Sequence, residues 1–151
     1  MSGTSLDGID VAAIRTDGED QVERGPARTL TYDEGQRSLL RRALNDALPM
    51  TQRDQRPGCL GQAEEALTRW HADAVQSFCK ESDLSLSNID LISFHGQTVL
   101  HRPERHLTVQ IGDGPLLSRL LARPVAYDLR AADVAAERKE VSICRADSSL
   151  P

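Results

Sequence analysis

The first ten residues, Met-Ser-Gly-Thr-Ser-Leu-Asp-Gly-Ile-Asp, constrain the fold of this chain more than any other stretch. Gly3 and Gly8 flank two hydroxyl side chains and an aspartate, and an apolar, strand-like run at residues 11–14 follows directly. Glycine permits positive φ angles and lets backbone N–H groups approach a ligand closely. Together with the hydroxyls of Thr4 and Ser5, such N–H groups form a donor-rich turn suited to phosphate oxygens.

Two carboxylates, Asp7 and Asp10, qualify this interpretation. A carboxylate repels a bare phosphate, so both side chains fit better beside a magnesium ion or its bound waters. The alternative is a polar hairpin turn with an Asp-Gly pair at its tip. The stretch lacks the lysine that a Walker A loop requires. From the residues alone, a phosphate loop and a plain turn both remain open.

Composition narrows the class of protein. The chain has 151 residues, a length for one domain, with 39% hydrophobic and 27% charged residues, as in ordinary soluble globular proteins. A net charge of -5 without a basic run argues against nucleic-acid binding. No apolar run is long enough to span a membrane and no signal peptide is visible, so we expect a cytoplasmic protein. Its cysteines, Cys59, Cys79 and Cys144, are expected to be reduced thiols.

Hydrophobic periodicity predicts strands and helices along the chain. Pro49 is expected to end the first helix, and Asp17-Gly18 to form a turn after the first strand. We expect Trp70 to pack in the core and its neighbour His71 to face solvent. The predicted strands cover residues 9–16, 27–32, 89–94, 106–111 and 124–129, and the predicted helices cover residues 34–48, about 60–78 and a segment that starts after Asp113.

Polar residues follow the predicted buried strand at residues 89–94. His95, Gly96, Gln97 and Thr98 lie at its carboxyl end, where open α/β sheets bind ligands. Gly96 would allow a ligand to approach the backbone, and His95 and Gln97 supply hydrogen-bond donors and acceptors. The alternative is that these side chains only complete the hydrogen bonds of a loop.

Two later strands also end in polar residues. Asp113 follows the predicted strand at residues 106–111, but it also precedes Pro115 at a position typical of a helix N-cap, which alone would explain it. Asp128 and Arg130 follow the last predicted strand. Arg130 could bind a carboxylate through two parallel hydrogen bonds, and an internal Arg–Asp pair is the competing interpretation.

Four stretches, in order, resemble the anhydro-N-acetylmuramic acid kinases. They are the opening decapeptide, Phe-His-Gly-Gln-Thr at residues 94–98, Gln-Ile-Gly-Asp at 110–113 and Asp-Leu-Arg-Ala-Ala-Asp-Val-Ala-Ala at 128–136. The resemblance implies an α/β fold: the N-terminal lobe of an actin-like ATPase (ribonuclease H-like) fold, with a mixed sheet flanked by helices. That lobe would cover residues 1–136, and the opening loop with its β-hairpin would wrap the phosphates of a nucleotide.

The same resemblance implies a kinase of bacterial cell-wall recycling that uses ATP and Mg²⁺. Water would attack the anomeric carbon of 1,6-anhydro-N-acetylmuramic acid, the anhydro bridge would open, and oxygen 6 would take the γ-phosphoryl group. Asp7 and Asp10 would contact the metal indirectly, and Arg130 could bind the lactyl acid of the sugar. The implied phosphate-binding residues are Gly3, Thr4, Ser5, Leu6, Asp7, Gly8, Ile9 and Asp10, and the implied sugar-binding residues are His95, Gly96, Gln97, Thr98, Gln110, Asp113, Asp128 and Arg130.

Other expectations concern what the chain lacks relative to that family. The strand that precedes the opening loop is expected to be missing, and the catalytic aspartate, second phosphate motif and adenosine pocket to lie beyond residue 151, in a second lobe. Residues 137–151 depart from the family pattern, and we interpret them as a disordered, frameshifted tail. We therefore expect this polypeptide alone to be inactive. The alternatives are a non-catalytic nucleotide- or sugar-binding lobe and a non-functional gene fragment; the intact enzyme would be a homodimer.

Overall fold

A computed structural model describes residues 6–128, in which two strands and two helices are followed by three strands, a third helix and a last strand. A short 3-10 helix precedes β3 and another precedes β5. The strands are β1 (Gly8–Thr16), β2 (Val22–Thr31), β3 (Ile92–Phe94), β4 (Gln97–Arg102), β5 (Leu107–Ile111) and β6 (Val125–Tyr127), and the helices are α1 (Glu34–Ala47), α2 (Leu60–Glu81) and α3 (Gly114–Leu121).

The first two strands form the predicted antiparallel hairpin. Gly8 pairs with Thr31 at its base, and the register shifts once between Ala12 and Ile14. Ile9 is buried against the core, whereas Ile14 near the tip is 60% exposed. The hairpin therefore packs against the domain through its lower part, and its tip is exposed.

The strands pair in three separate two-stranded sheets within residues 6–128. β1 with β2 and β4 with β5 are antiparallel, whereas β3 with β6 is parallel. A mixed α/β composition is thus confirmed, with small sheets in place of the single mixed sheet that we expected. Residues 97 and 98, which we placed in a loop, begin β4, because the chain reverses at Gly96, whose φ is 65°, and pairs at once with β5.

Helix α2 separates two hydrophobic clusters. One face packs with α1, the hairpin and the β4–β5 pair, and includes Leu60 and Leu67, with Trp70 partly buried beside it as predicted. The opposite side contributes Ala72 to a second cluster with Phe94 and α3. Because both sides are covered, His71 is only 5% exposed, so the prediction that it faces solvent was wrong.

Candidate functional site

A cleft of about 300 Å³ lies where three strands end. His95 follows β3, Gly112 follows β5 and Asp128 follows β6, and all three residues line the cleft. The carboxyl ends of strands are where ligands bind in α/β folds, so the placement expected from the sequence is found here. Four of the eight residues predicted to bind sugar line this cleft, namely His95, Gly96, Gln110 and Asp128.

Two glycines allow the strand ends to approach one another. A Cβ atom at Gly96 would collide with the carbonyl oxygen of Ile111. A Cβ atom at Gly112, whose φ is 144°, would lie 2.7 Å from the ring of Phe94. Both positions therefore require glycine, for the close contact and for the backbone conformation.

Gln110 connects His95 and Thr98, and we call these predicted sugar-binding residues, 95–98 and 110, the sugar wall. Its side-chain amide donates to the carbonyl oxygen of His95 at 3.1 Å and to the hydroxyl of Thr98 at 3.3 Å, and it lies 3.4 Å from both ring nitrogens of His95. Gln110 and His95 both line the cleft, and their side chains carry hydrogen-bond donors and acceptors suited to sugar hydroxyls. Gln97 is 1% exposed and donates to the Thr98 carbonyl at 3.2 Å, so it supports the wall from behind.

Helix α2 holds the segment between β5 and α3. The carboxylate of Glu64 accepts a hydrogen bond from the Gly112 N–H at 3.1 Å, and the hydroxyl of Thr68 accepts one from the Asp113 N–H at 3.0 Å. Arg56 binds the same carboxylate through two nitrogens at 2.8 and 2.9 Å. Those hydrogen bonds raise the pKa of Arg56, which remains charged. The floor of the cleft is thus fixed by an ion pair and a buried hydroxyl.

The connector at residues 51–58, between α1 and α2, supplies residues that the sequence analysis missed. Arg53, Asp54 and Arg56 all line the cleft. Nη2 of Arg53 binds both carboxylate oxygens of Asp128, at 2.6 and 2.7 Å, and its Nε donates to the Thr108 carbonyl at 3.1 Å. The connector is polar and has no periodicity or motif, so no signal in one sequence could have identified it as part of a site.

Asp113 has the alternative role that the sequence left open. Its side chain accepts a hydrogen bond from the Leu116 N–H at 2.8 Å and caps α3. It does not line the cleft that the described residues form. The N-cap interpretation is therefore confirmed, and a contact with sugar stays a prediction.

The opening loop is described only from Leu6 onward, so Gly3, Thr4 and Ser5, like Arg130, lie outside the described residues. Leu6 and Ile9 are buried in the core and Gly8 pairs with β2, which leaves two exposed carboxylates. Asp7 is exposed, and Asp10 accepts a hydrogen bond from the Thr29 hydroxyl at 2.6 Å. Residues 6–128 hold no cluster of three or more metal-ligating side chains. Phosphate and metal binding by this loop stay predictions.

The fold and the cleft define a small α/β domain with a polar site at its strand ends. The family model for anhydro-N-acetylmuramic acid kinase matches residues 1–141, and this chain belongs to that family. Anhydro-N-acetylmuramic acid kinase of Bradyrhizobium diazoefficiens is 54% identical over 136 residues, which cover 90% of this chain and 37% of the relative.

Two further relatives with the same name agree with this assignment. The protein of Methylobacterium nodulans is 56% identical over 146 residues, covering 90% of this chain and 39% of the relative. The protein of Agrobacterium fabrum is 52% identical over 134 residues, covering 89% and 36%. The chain therefore spans little more than a third of the length of these curated relatives. No helix within residues 6–128 has the length and apolar character needed to cross a membrane.

Proposed function

We propose that this chain provides the sugar cleft and the phosphate loop of an ATP-dependent kinase acting on 1,6-anhydro-N-acetylmuramic acid in cell-wall recycling. The observation that supports this most is the convergence of three strand ends on a polar cleft of about 300 Å³, in a chain of this family. In the proposed reaction, a water oxygen bonds to C1 as the C1–O6 bond breaks. Oxygen 6 then bonds to the γ-phosphorus of ATP, and ADP leaves.

In this proposal the cleft orients the sugar. His95, Gln110 and Asp128 would bind its hydroxyl and acetamido groups, with Gly96 giving room for close approach and Thr98 holding the Gln110 amide. Gln97 would support this wall from behind, Asp113 would act through the N-terminus of α3, and Arg130 would bind the lactyl acid.

The residues of the opening loop, 3–10, would bind the phosphates of ATP. Mg²⁺ would neutralise phosphate charge there, and the exposed carboxylates of Asp7 and Asp10 are oxygen donors of the type that this ion or its waters prefer. Asp10 keeps its cross-strand partner Thr29 in this role, because a carboxylate has two oxygens that each accept more than one hydrogen bond.

We further propose that the remainder of the site belongs to the part of the family that this chain does not cover. The relatives are more than twice as long, and a carboxylate base for the attacking water and an adenosine pocket would lie there in a second, actin-like lobe. The polypeptide 1–151 would then bind sugar or ATP weakly and transfer no phosphate, as a cytoplasmic lobe of a dimeric enzyme. Residues 137–151 lie outside the described residues; the proposed frameshift there is tested by sequencing the coding DNA.

A chimera tests the proposed function. Residues 1–136 of this chain would replace the corresponding segment of the Bradyrhizobium diazoefficiens relative, which is 54% identical over that length. We expect the chimera to transfer radiolabelled phosphate from ATP to the anhydro sugar, and the 151-residue polypeptide to transfer none. A folded chimera that is inactive beside an active parent would refute the proposal.

A matched pair of variants in the chimera tests whether the Gln110 amide contributes to sugar binding. Gln110→Met removes the amide that contacts His95 and Thr98 while keeping the side-chain volume, and it should raise the KM for sugar at least tenfold. Gln76→Met on the exposed side of α2 is the control and should leave KM unchanged. Equal effects of the two variants would exclude Gln110 from the sugar site.

Calorimetry on the 151-residue polypeptide addresses the two alternatives. A non-catalytic binding lobe would bind ATP or the anhydro sugar without turnover. A non-functional fragment would bind neither, and would expose apolar surface to a fluorescent dye.

A further inference from the structure

We propose that Arg53 is a specificity-determining residue that binds a carboxylate on the substrate of the cleft. Three observations support this role: the side chain lines the cleft, it is held in place from two directions, and one of its terminal nitrogens has no hydrogen-bond partner within residues 6–128. The proposal deepens the proposed function and rests on it, since it assumes that the sugar binds in this cleft.

Arg53 is fixed before any ligand arrives. Its Nε donates to the Thr108 carbonyl at 3.1 Å, and its Nη2 binds the carboxylate of Asp128 at 2.6 and 2.7 Å. Its own carbonyl oxygen accepts a hydrogen bond from Nη1 of Arg56 at 2.8 Å. A guanidinium held in this way loses little conformational entropy when it forms a further hydrogen bond.

The two arginines of the connector differ in their unused donors. Every side-chain nitrogen of Arg56 is engaged, by Glu64 and by the carbonyl oxygens of Arg53 and Gln55. Arg53 makes no hydrogen bond through Nη1 to any residue within 6–128, and its side chain is 46% exposed. Of the two arginines that line the described part of the cleft, Arg53 is therefore the one with a donor available to a ligand.

The hydrogen-bond donor of Arg53, and not the net charge of the lining, indicates which ligand group this nitrogen fits. Glu64 forms an ion pair with Arg56, and Asp128 forms one with Arg53, so Asp54 is the remaining acidic residue among the lining residues that the structure describes. The Arg53–Asp128 pair is 46% and 40% exposed, and such exposed pairs stabilise a protein little. An incoming carboxylate can therefore share the guanidinium with Asp128 at small cost, and muramic sugars differ from glucosamine sugars by a carboxylate-bearing lactyl group.

Two sugars distinguish this role from general sugar binding. Binding of 1,6-anhydro-N-acetylmuramic acid and of 1,6-anhydro-N-acetylglucosamine to the 151-residue chain would be followed by protein NMR, which detects millimolar affinities. We expect the acid to bind about tenfold more tightly, the ratio that corresponds to one charge-assisted hydrogen bond of about 1.4 kcal/mol.

Two substitutions should change that ratio in opposite directions. Arg53→Gln removes this donor and leaves the proposed contact of Arg130 with the lactyl acid, so the preference for the acid should fall severalfold. Asp128→Asn removes the competing negative charge and leaves the bond from Arg53 to Thr108, so the preference for the acid should increase severalfold. Arg69→Gln, which breaks a comparable exposed ion pair with Glu65 outside the cleft lining, is the matched control and should leave the ratio unchanged.

The outcomes separate the two proposals. Equal binding of both sugars to the unmodified chain would refute the role of Arg53 while leaving the sugar cleft in place. Equal loss of both sugars in Arg53→Gln would show that the residue only supports the fold. Shifts for neither sugar would overturn both proposals. If Arg53→Gln does not fold, Asp128→Asn decides, because an unchanged ratio in that variant refutes the shared guanidinium.

Discussion

A buried histidine makes the stability of this domain depend on pH. His71 is 5% exposed and packs edge-on against Phe94, with ring centroids 4.9 Å apart. Its Nδ1 donates to the Leu67 carbonyl at 2.8 Å, and its Nε2 is buried with no hydrogen-bond partner within residues 6–128. A proton on Nε2 would place a charge in an apolar cluster. Burial therefore lowers the pKa to about 4 from 6.5, against the opposing Leu67 contact.

The sign and size of the effect follow from linkage. Above pH 6.5 His71 is neutral in both the folded and the unfolded state, so its contribution to stability is constant. Between pH 6.5 and about 4 the unfolded chain binds a proton that the folded chain does not, and stability falls as pH falls. The shift corresponds to about 3 kcal/mol of unfolding free energy.

Urea denaturation at pH 7, 5.5 and 4 measures this loss, and His71→Leu should abolish it. The variant keeps a side chain of similar size in the cluster and removes the titrating group, so its unfolding free energy should decline about 3 kcal/mol less than that of the unmodified chain. His106→Asn is the matched control, because His106 is exposed with a φ of 51°, a conformation that asparagine tolerates. A parallel decline in His71→Leu and the unmodified chain would refute the reasoning.

Three further changes test the floor of the cleft. Gly112→Ala should lower the unfolding free energy by about 2–4 kcal/mol, because the added Cβ meets the Phe94 ring and the φ of residue 112 is 144°. Gly61→Ala is the control; it has open space around it in α2 and should raise the unfolding free energy by about 0.5 kcal/mol. Similar urea midpoints for the two would contradict this. Asp113→Ala should cost about 1 kcal/mol by removing the cap of α3, with Asp113→Asn retaining most of it. Thr68→Val should cost about 1–3 kcal/mol by leaving the Asp113 N–H unpaired, and Thr68→Ser should restore stability; equal stability of Val and Ser variants would exclude that hydrogen bond.

Much of the fold could be predicted because its signals are local. The first strand was predicted at residues 9–16 and spans Gly8–Thr16, and the first helix was predicted at 34–48 and spans Glu34–Ala47. Asp33 and Gln36 form a capping box at the start of that helix, which fixes its first turn from adjacent residues. Polar residues after short apolar runs likewise indicated the strand ends that form the cleft.

The predictions were wrong where elements distant in sequence determine whether a residue is buried or which strands pair. The apolar stripe of α2 predicted one buried face, but α3 and β3 cover the other side. Periodicity within a helix does not show that elements more than ten residues away in sequence pack against its second face. His71 was therefore placed in solvent. The pairing of strands into three small sheets was not predicted for the same reason, because the sequence of a short strand does not indicate which strand lies beside it.

The cleft itself depends on contacts that join distant parts of the chain. Arg53 reaches Asp128 across 75 positions, and Glu64 reaches Gly112 across 48. A single sequence shows the strand-end residues, since each follows an apolar run, but it shows nothing that would bring residues 51–58 over them. If Arg53 selects the acidic substrate, then the strand ends bind the groups that all anhydro amino sugars share. The connector then binds the lactyl carboxylate, which distinguishes muramic sugars from glucosamine sugars. Substitutions in residues 51–58 should then alter substrate preference with little effect on the fold. Substitutions at Gly96 or Gly112 should destabilise the fold with little effect on substrate preference.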